Sequence, residues 1–303
     1  YVFTRPVSSM AVDRGRYGLM CHHGGGIACD GVVFRLAEDR FWYVHADRDV
    51  FTWLQALKTG YDVYIRNPGA WAIQIQGPAS LEILDACVDG GAPAGFKYYH
   101  SRQVTMGGQP VLISRTGWTA ELGFEVYNMD PNVDGMALWS HLMVAGKPHG
   151  MEILSTYAMN PRRIEAGIMN YGTDMGWDTT PFDLGLDEFV DFDHEFLGRD
   201  ALQTAERKQR FTGFRTEAKD IKWGSPVFAN SKAVGSVKAF EHSPTLGTGI
   251  GYVLFDTHDT MAISGFCIKD RAGKEYQMDL HTLPFFDPEK RIPRGLEVMV
   301  FTG

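Results

Sequence analysis

The pattern of the chain changes near residues 205–212, and that change constrains the fold more than any other feature. Before it, runs with helical spacing alternate with runs that read as strands. After it, from Phe211 onward, the chain is mostly short strands separated by turns. A chain with this division folds as an α+β part followed by a β-rich part. The expected division is residues 1–208, two interleaved α+β subdomains, and residues 209–303, a separate β-domain. With 303 residues, of which 44% are hydrophobic, two or three subdomains are expected rather than one. The spacing is too irregular for a doubly wound sheet, and no internal repeat is visible.

Within the first part, "GVVFRLAEDRFWYVHA" reads as a hairpin that turns at Glu38-Asp39-Arg40. "DVFTWLQALKTG" has helical spacing and a stop at Gly60. "YDVYIR" and "WAIQIQGP" read as strands, and "PASLEILDACV" as a helix after a Gly-Pro break. "QVTMGGQPVLISRTGW" predicts a hairpin around Gly107-Gly108, "GFEVYNM" a strand, and "NVDGMALWSHLMVAG" a helix ending at Gly146. "NPRRIEAGI" reads as a helix start, with Pro161 near the first turn. "YGTDMGWDTTPFDLGLDEFV" lacks periodicity and reads as a long loop, and ordered loops of that length are often functional. "FLGRDALQTAERKQ" is a short charged helix.

Several function classes fall away on composition. The net charge of −8 comes without a basic stripe, so no nucleic-acid partner is expected. No apolar run reaches the roughly 18 residues that a membrane span needs. Cys21, Cys29, Cys87 and Cys267 follow no CxxC spacing, so reduced thiols and a cytoplasmic setting are expected. The chain begins at Tyr1 with no signal-peptide pattern.

Chemistry concentrates at "CHHGGGIACDGVVF", residues 21–34. A dinucleotide loop needs GxGxxG between a strand and a helix. Here Cys29 stands where the third glycine belongs, a strand follows, and no Walker lysine is present. A zinc site from Cys21, His22, His23 and Cys29 lacks ligand spacing and a downstream half, which makes a solvated turn the ordinary reading. Asp30 stands where the turn enters the strand; spacing alone favours a turn aspartate that caps its own backbone. A second carboxylate, Glu125, interrupts an otherwise apolar strand. Alternation puts Gly123, Glu125 and Tyr127 on one face and Phe124 and Val126 on the other. If the first face lines a cavity, Glu125 must be paired there, and a carboxylate suits an NH/NH₂ edge such as that of a pterin. Trp118 and Tyr127 offer surface for a flat heterocycle or an onium cation, or serve simply as core aromatics.

In this order, "GGIACDGVVFRLAEDRFWYV", "IQIQGP", "SRTGWTAELGFEVY", "RRIEAGIMNYGTDM", "TTPFDLGLDEFVDFD", "FLGRDAL" and "AVGSVKAFEHSPTLGTGIGYV" resemble the folate-dependent aminomethyltransferase family, that is, the glycine-cleavage T-protein and its demethylase relatives. The motifs span most of residues 17–255, with "LPFF" in register near the end. Most of the family's strand–helix unit upstream of the glycine-rich turn is absent from this chain. The resemblance implies a three-domain cloverleaf around a central tetrahydrofolate cavity, with a C-terminal β-barrel-like domain. It also implies that Asp30 is the catalytic carboxylate at the folate's reactive end and that Glu125 holds the pterin, with Tyr127, Trp118, Tyr171 and Arg163 as further cofactor-binding residues.

Within the family, Met159 replaces an arginine, Trp118 a tyrosine, and Cys29 a second carboxylate of the T-protein branch; the demethylase branch that includes dimethylsulfoniopropionate demethylase fits more closely. The chain also resembles vanillate and syringate O-demethylases, but the arginine that reads the aromatic carboxylate there falls near Ala46, with Arg48 close by. The expected reaction is therefore methyl transfer from a small methylated donor, a sulfonium or an amine, to N5 of tetrahydrofolate. A methoxyarene would need a general acid, and no residue is obvious for that role. Aromatic O-demethylation, glycine-cleavage aminomethyl transfer and a non-catalytic folate-binding module are the alternatives. The expected partners are the small-molecule donor and a second copy of the chain in a homo-oligomer.

Overall fold

The computed structural model describes residues 1–45 and 48–298. A first antiparallel sheet contains β1 (Arg14–Cys21), β2 (Ile27–Arg35) and β3 (Phe41–Val44), in that order. β2 and β3 form the expected hairpin, with Val32 opposite Val44 and Phe34 opposite Trp42. Helix α1 (Val50–Leu57) begins at Asp49, whose carboxylate accepts the Thr52 N–H at 3.0 Å. Gly60, at φ +89°, lies just past its end.

The second sheet uses β4 (Ala72–Gln76), β5 (Ser101–Met106), β6 (Gln109–Ser114) and β7 (Gly123–Asn128) in the order β4-β7-β6-β5. Helices α2 (Ser80–Cys87) and α3 (Gly135–Gly146) cover one face of it. Phe124, Val126, Val111 and Ile113 on that face pack with Leu84, Leu138 and Leu142. At the β5–β6 turn, Gly107 and Gly108 both take positive φ, and the Asp89 carboxylate accepts their N–H groups at 3.1 Å each. The two sheets join at a corner: the Gly15 N–H donates to the Tyr99 carbonyl at 2.7 Å and the Ser101 N–H to the Asp13 carbonyl at 2.9 Å. Beside this corner Phe34, Val32 and Trp42 of the first sheet pack on Leu112 and Tyr127 of the second.

Helices α4 (Thr156–Glu165) and α5 (Arg199–Thr204) lead to a closed six-stranded barrel. Its strands are β8 (Phe211–Thr216), β9 (Pro226–Ala229), β10 (Lys232–Ser243), β11 (Thr248–Phe255), β12 (Phe266–Lys269) and β13 (Glu275–His281), ordered β10-β11-β8-β13-β12-β9. Phe214, Val227, Val253 and Phe255 belong to its core. Phe211, Ile250 and Tyr252 pack instead with Ile164 of α4, Leu19 of β1, Ile27 of β2 and Tyr171. That cluster ties the barrel to the first sheet. The architecture is thus the mixed α/β fold with a C-terminal barrel that the motifs imply. Among the described residues no helix is long and apolar enough to cross a membrane.

Two expectations need correction. Tyr61–Arg66 forms no strand. Its alternating pattern pairs with no neighbouring strand, and Tyr64 is 87% exposed. "NPRRIEAGI" ends a helix rather than starting one: α4 begins at Thr156, which puts Pro161 inside it. The missing N–H of Pro161 would serve the carbonyl of Tyr157, a residue on the exposed side of the helix. Gly167, at φ +70°, follows the end of the helix.

Candidate functional site

The glycine-rich turn is built to hold its own shape. His22 stacks on Trp177, with ring centroids 4.2 Å apart and planes 14° from parallel. Its Nδ1 accepts the Gly24 N–H at 3.0 Å, so its Nε2 carries the proton and donates to the Trp177 carbonyl at 3.0 Å. His22 thereby pins the turn to the long loop, while His23 faces solvent. Among the described residues no group of three or more His, Cys, Asp or Glu side chains could hold a metal ion.

The turn feeds β2 so that Asp30 shares a face with Val32 and Phe34. Because those two residues pack toward Tyr127, Asp30 faces the space between the two sheets. The Tyr17 hydroxyl, from the neighbouring strand β1, donates to Asp30 Oδ2 at 2.8 Å. Burial first, and then Asp30, push the Tyr17 phenol well above its ordinary range, so it remains a proton donor at neutral pH. Cys29 points the other way, among Met20, Ala28, Val50 and Tyr43. Burial raises its thiol to about 11. Cys29 therefore sits behind the strand, away from the space that Asp30 faces.

Glu125 stands on the face of β7 opposite the apolar core, as alternation predicts. It accepts from the Thr116 hydroxyl and, at 2.9 Å, from the Tyr127 hydroxyl, both on Oε2. Gln74 of β4, directly opposite in register, donates from Nε2 to Oε1 at 3.0 Å. The Tyr127 ring also packs against Phe34 and Trp42, at centroid distances of 6.2 and 6.4 Å. Glu125 and Tyr127 thus look toward the sheet that carries Asp30. Between them lies Tyr99, a half-buried tyrosine at φ +60° on the inter-sheet corner. Burial raises its phenol, and both Asp30 and Glu125 add to the shift. A tyrosine in the left-handed region is uncommon, and such strain clusters at functional sites.

The other expected residues form a second group. Arg163 is 4% exposed and pairs with Asp174 at 2.5 Å, with further bonds to Asn160 Oδ1 and the Ile168 carbonyl. Its guanidinium lies 5.2 Å from the Trp118 ring centroid. Arg163 thus directs Nε to Asn160 within α4 and Nη1 to the loop after it, and offers Trp118 a cation from within the chain. Burial raises the Asp174 carboxyl even though Arg163 opposes the shift. Tyr171 is buried and donates to the Ile27 carbonyl at 3.3 Å, and the Arg48 guanidinium lies 5.0 Å from its ring centroid. Ala46, where the O-demethylases' substrate-reading arginine would fall, lies outside the described residues.

Sequence reasoning missed Tyr17, Tyr99, Thr116 and Gln74. For Gln74 a signal existed: two glutamines share one face of the apolar strand "AIQIQ". For Tyr17 there was none, because its contact with Asp30 depends on β-register.

The chain is similar to known proteins along most of its length. A family model described as the GCVT N-terminal domain matches residues 1–194, and one described as the glycine cleavage T-protein C-terminal barrel domain matches residues 209–287. The aminomethyltransferase of Streptomyces avermitilis is 33% identical over 305 residues, covering 96% of this chain and 81% of that protein. The aminomethyltransferase of Alkaliphilus oremlandii is also 33% identical, covering 84% of this chain and 72% of its own. The crystal structure of glycine cleavage system aminomethyltransferase T from Bartonella henselae superposes with a TM-score of 0.83, covering 94% of this chain and 80% of that one. At 23% identity that likeness is one of fold.

Proposed function

The chain belongs to the folate-dependent aminomethyltransferase family of the glycine cleavage T-protein, and from that premise we propose that it transfers a one-carbon unit from an aminomethyl donor to tetrahydrofolate. The observation that carries the reading is the pair of anchored carboxylates on facing sheets, Asp30 held by Tyr17 and Glu125 held by Thr116, Tyr127 and Gln74. The residues fit the cofactor. Glu125 is an acceptor for the N–H-rich edge of a pterin, and the neighbouring Gln74 Oε1 is a buried acceptor that has no donor among the described residues. Tetrahydrofolate supplies, at N5, the nucleophile that accepts the one-carbon unit.

The chain's own residues then have separate tasks. Glu125 fixes the heterocycle's orientation, which turns the transfer into a reaction between prealigned groups. Asp30 stabilises the positive charge that the donor carries or develops at the transferring carbon. Tyr17 keeps that carboxylate in one rotamer and, as a phenol that stays protonated, takes no proton from the donor. The facing sheets limit the water that reaches both groups.

A second reading is methyl transfer from a sulfonium or methylated amine. The clustering of Tyr17 and Tyr99 about Asp30 favours it, since an aromatic-lined carboxylate suits a permanent cation. One experiment separates the two. The protein is incubated with tetrahydrofolate and either an aminomethyl-loaded lipoyl carrier protein or a panel of small methyl donors, and the folate products are weighed by mass spectrometry. Aminomethyl transfer gives 5,10-methylene-tetrahydrofolate only with the carrier, its amine leaving as ammonia and the carrier as the free dihydrolipoyl thiol. Methyl transfer gives 5-methyl-tetrahydrofolate with a small donor and no carrier. Neither product, from protein that binds folate, would leave only a binding module.

A further inference from the structure

Glu125 is already heavily engaged before any ligand arrives. Its two oxygens have about four lone-pair sites. The Thr116 and Tyr127 hydroxyls occupy Oε2, and Gln74 Nε2–H occupies half of Oε1. One acceptor position therefore remains, on Oε1. A 2-amino-4-oxo-pterin edge presents two adjacent N–H donors in parallel and needs two acceptors side by side.

The second acceptor is in place. Gln74 lies directly opposite Glu125 across β4 and β7. Its amide orientation is fixed, because the reverse would set its oxygen against the carboxylate. Its Oε1 is buried, and among the described residues nothing donates to it. Gln76, two residues along on the same face, is the internal contrast. Its amide N–H groups go to the Thr116 and Phe124 carbonyls, and its Oε1 accepts from the Thr119 hydroxyl. Gln76 is a finished structural glutamine, whereas Gln74 is half finished. A buried carbonyl without a donor is costly, and such a group calls for an explanation.

On the folate reading above, we infer that Gln74 is a specificity-determining residue: its Oε1 and Glu125 Oε1 form the acceptor pair that takes the pterin's amino-edge N–H groups. The same pair rejects an aromatic carboxylate, which would bring a third acceptor against two.

The test is equilibrium binding of tetrahydrofolate, and of an analogue with methyl in place of the 2-amino group, to the wild type and to Gln74→Met. Methionine keeps the length and removes both the donor and the acceptor. The variant is expected to bind tetrahydrofolate about tenfold more weakly. In turnover, its KM for folate rises with kcat within about twofold. Wild type and variant bind the analogue equally, because the N–H that Gln74 reads is gone. Unchanged tetrahydrofolate affinity in Gln74→Met overturns the proposal. So does an equal loss with the analogue, which would mean that Gln74 merely orients Glu125. A thermal melt by circular dichroism checks folding, and if the methionine variant is unfolded, Gln74→Asn, whose shorter side chain withdraws the acceptor, carries the same expectation. A wild type that binds no folate sinks the folate reading and this proposal together; a wild type that binds beside an unaffected variant sinks the Gln74 role alone.

Discussion

Asp30, which accepts from the Tyr17 phenol, is assigned to the transfer step, and Glu125, which accepts from Thr116, Tyr127 and Gln74, to folate binding. Asp30→Asn should therefore lower the transfer rate by about 10²–10⁴, the usual weight of a positioned charged group, while leaving folate affinity within about twofold. Single-turnover transfer and folate titration on the same preparation check this; a full rate in Asp30→Asn ends the assignment. Glu125 was legible in the sequence because a charge in an apolar strand must be explained, and alternation gave its face. The contact of Tyr17 with Asp30 was not legible. It runs diagonally between strands whose register pairs residue 17 with Val32 and residue 19 with Asp30. The cysteines give a pH prediction. Burial lifts Cys29 and Cys87 to about 11 and Cys21 to about 12, against 9.0 for a free thiol. A folded pKa above the unfolded one gives stability that is complete below pH 9 and lost as pH rises toward 11. Thermal melts should fall steeply over that interval, and in the folded protein at pH 8 only Cys267, the least buried of the four, should react with a disulfide reagent on the minute scale. Rapid labelling of Cys29 at pH 8 would contradict its buried placement.

Elements were read well where one local rule decided them and poorly where a partner did. The Gly107-Gly108 hairpin and the Gly60 stop follow from local chemistry, and both stand as read. Tyr61–Arg66 alternates like a strand, but a strand needs a neighbour, which alternation cannot supply. Pro161 looked like a helix start because proline is favoured there, yet packing of Arg163 and Ile164 holds the helix through it. The glycine-rich turn shows the same limit. Its glycines looked like freedom for a turn, but Gly26 is needed for close approach. A Cβ there would lie 2.0 Å from the Trp177 carbonyl oxygen and 2.4 Å from His22 Nε2. Gly26→Ala must displace the loop or the strand and should cost about 1–3 kcal/mol. Gly176→Ala is the control, since a Cβ there meets nothing within 4 Å and its φ is not positive. Differential scanning calorimetry on both variants decides: equal midpoints would show that the turn does not press on the loop.

The whole molecule depends on one cluster that no single segment announces. Leu19 and Ile27 come from the first sheet, Ile164 and Tyr171 from α4 and the loop after it, and Phe211, Ile250 and Tyr252 from the barrel. In sequence these are ordinary apolar positions of separate elements; they meet because β8 and β11 turn one face to the barrel interior and the other to α4. Tyr252 completes the joint, its hydroxyl lying 3.1–3.2 Å from the carbonyls of Arg163, Ile164 and Ile168 at the end of α4. The second sheet has its own core, built on Phe124, Val126 and Leu138, and shares none of these residues. The barrel and the first sheet should therefore lose stability together while the second sheet is spared. Ile164 is fully buried at the centre of the joint, so Ile164→Ala should cost about 2–5 kcal/mol through lost burial and an unfilled cavity. In hydrogen exchange read by mass spectrometry, peptides covering β1 and β11 should gain exchange in parallel, while those covering β6 should change little. Loss of protection in β11 alone would mean that the barrel is an independent unit, and uniform loss including β6 would mean that the whole chain opens as one. The site spans this boundary, with Asp30 on the coupled side and Glu125 on the spared side. Ile164→Ala should accordingly reduce transfer more than folate affinity, because it loosens the sheet that carries Asp30 and leaves the pterin-holding strand in place.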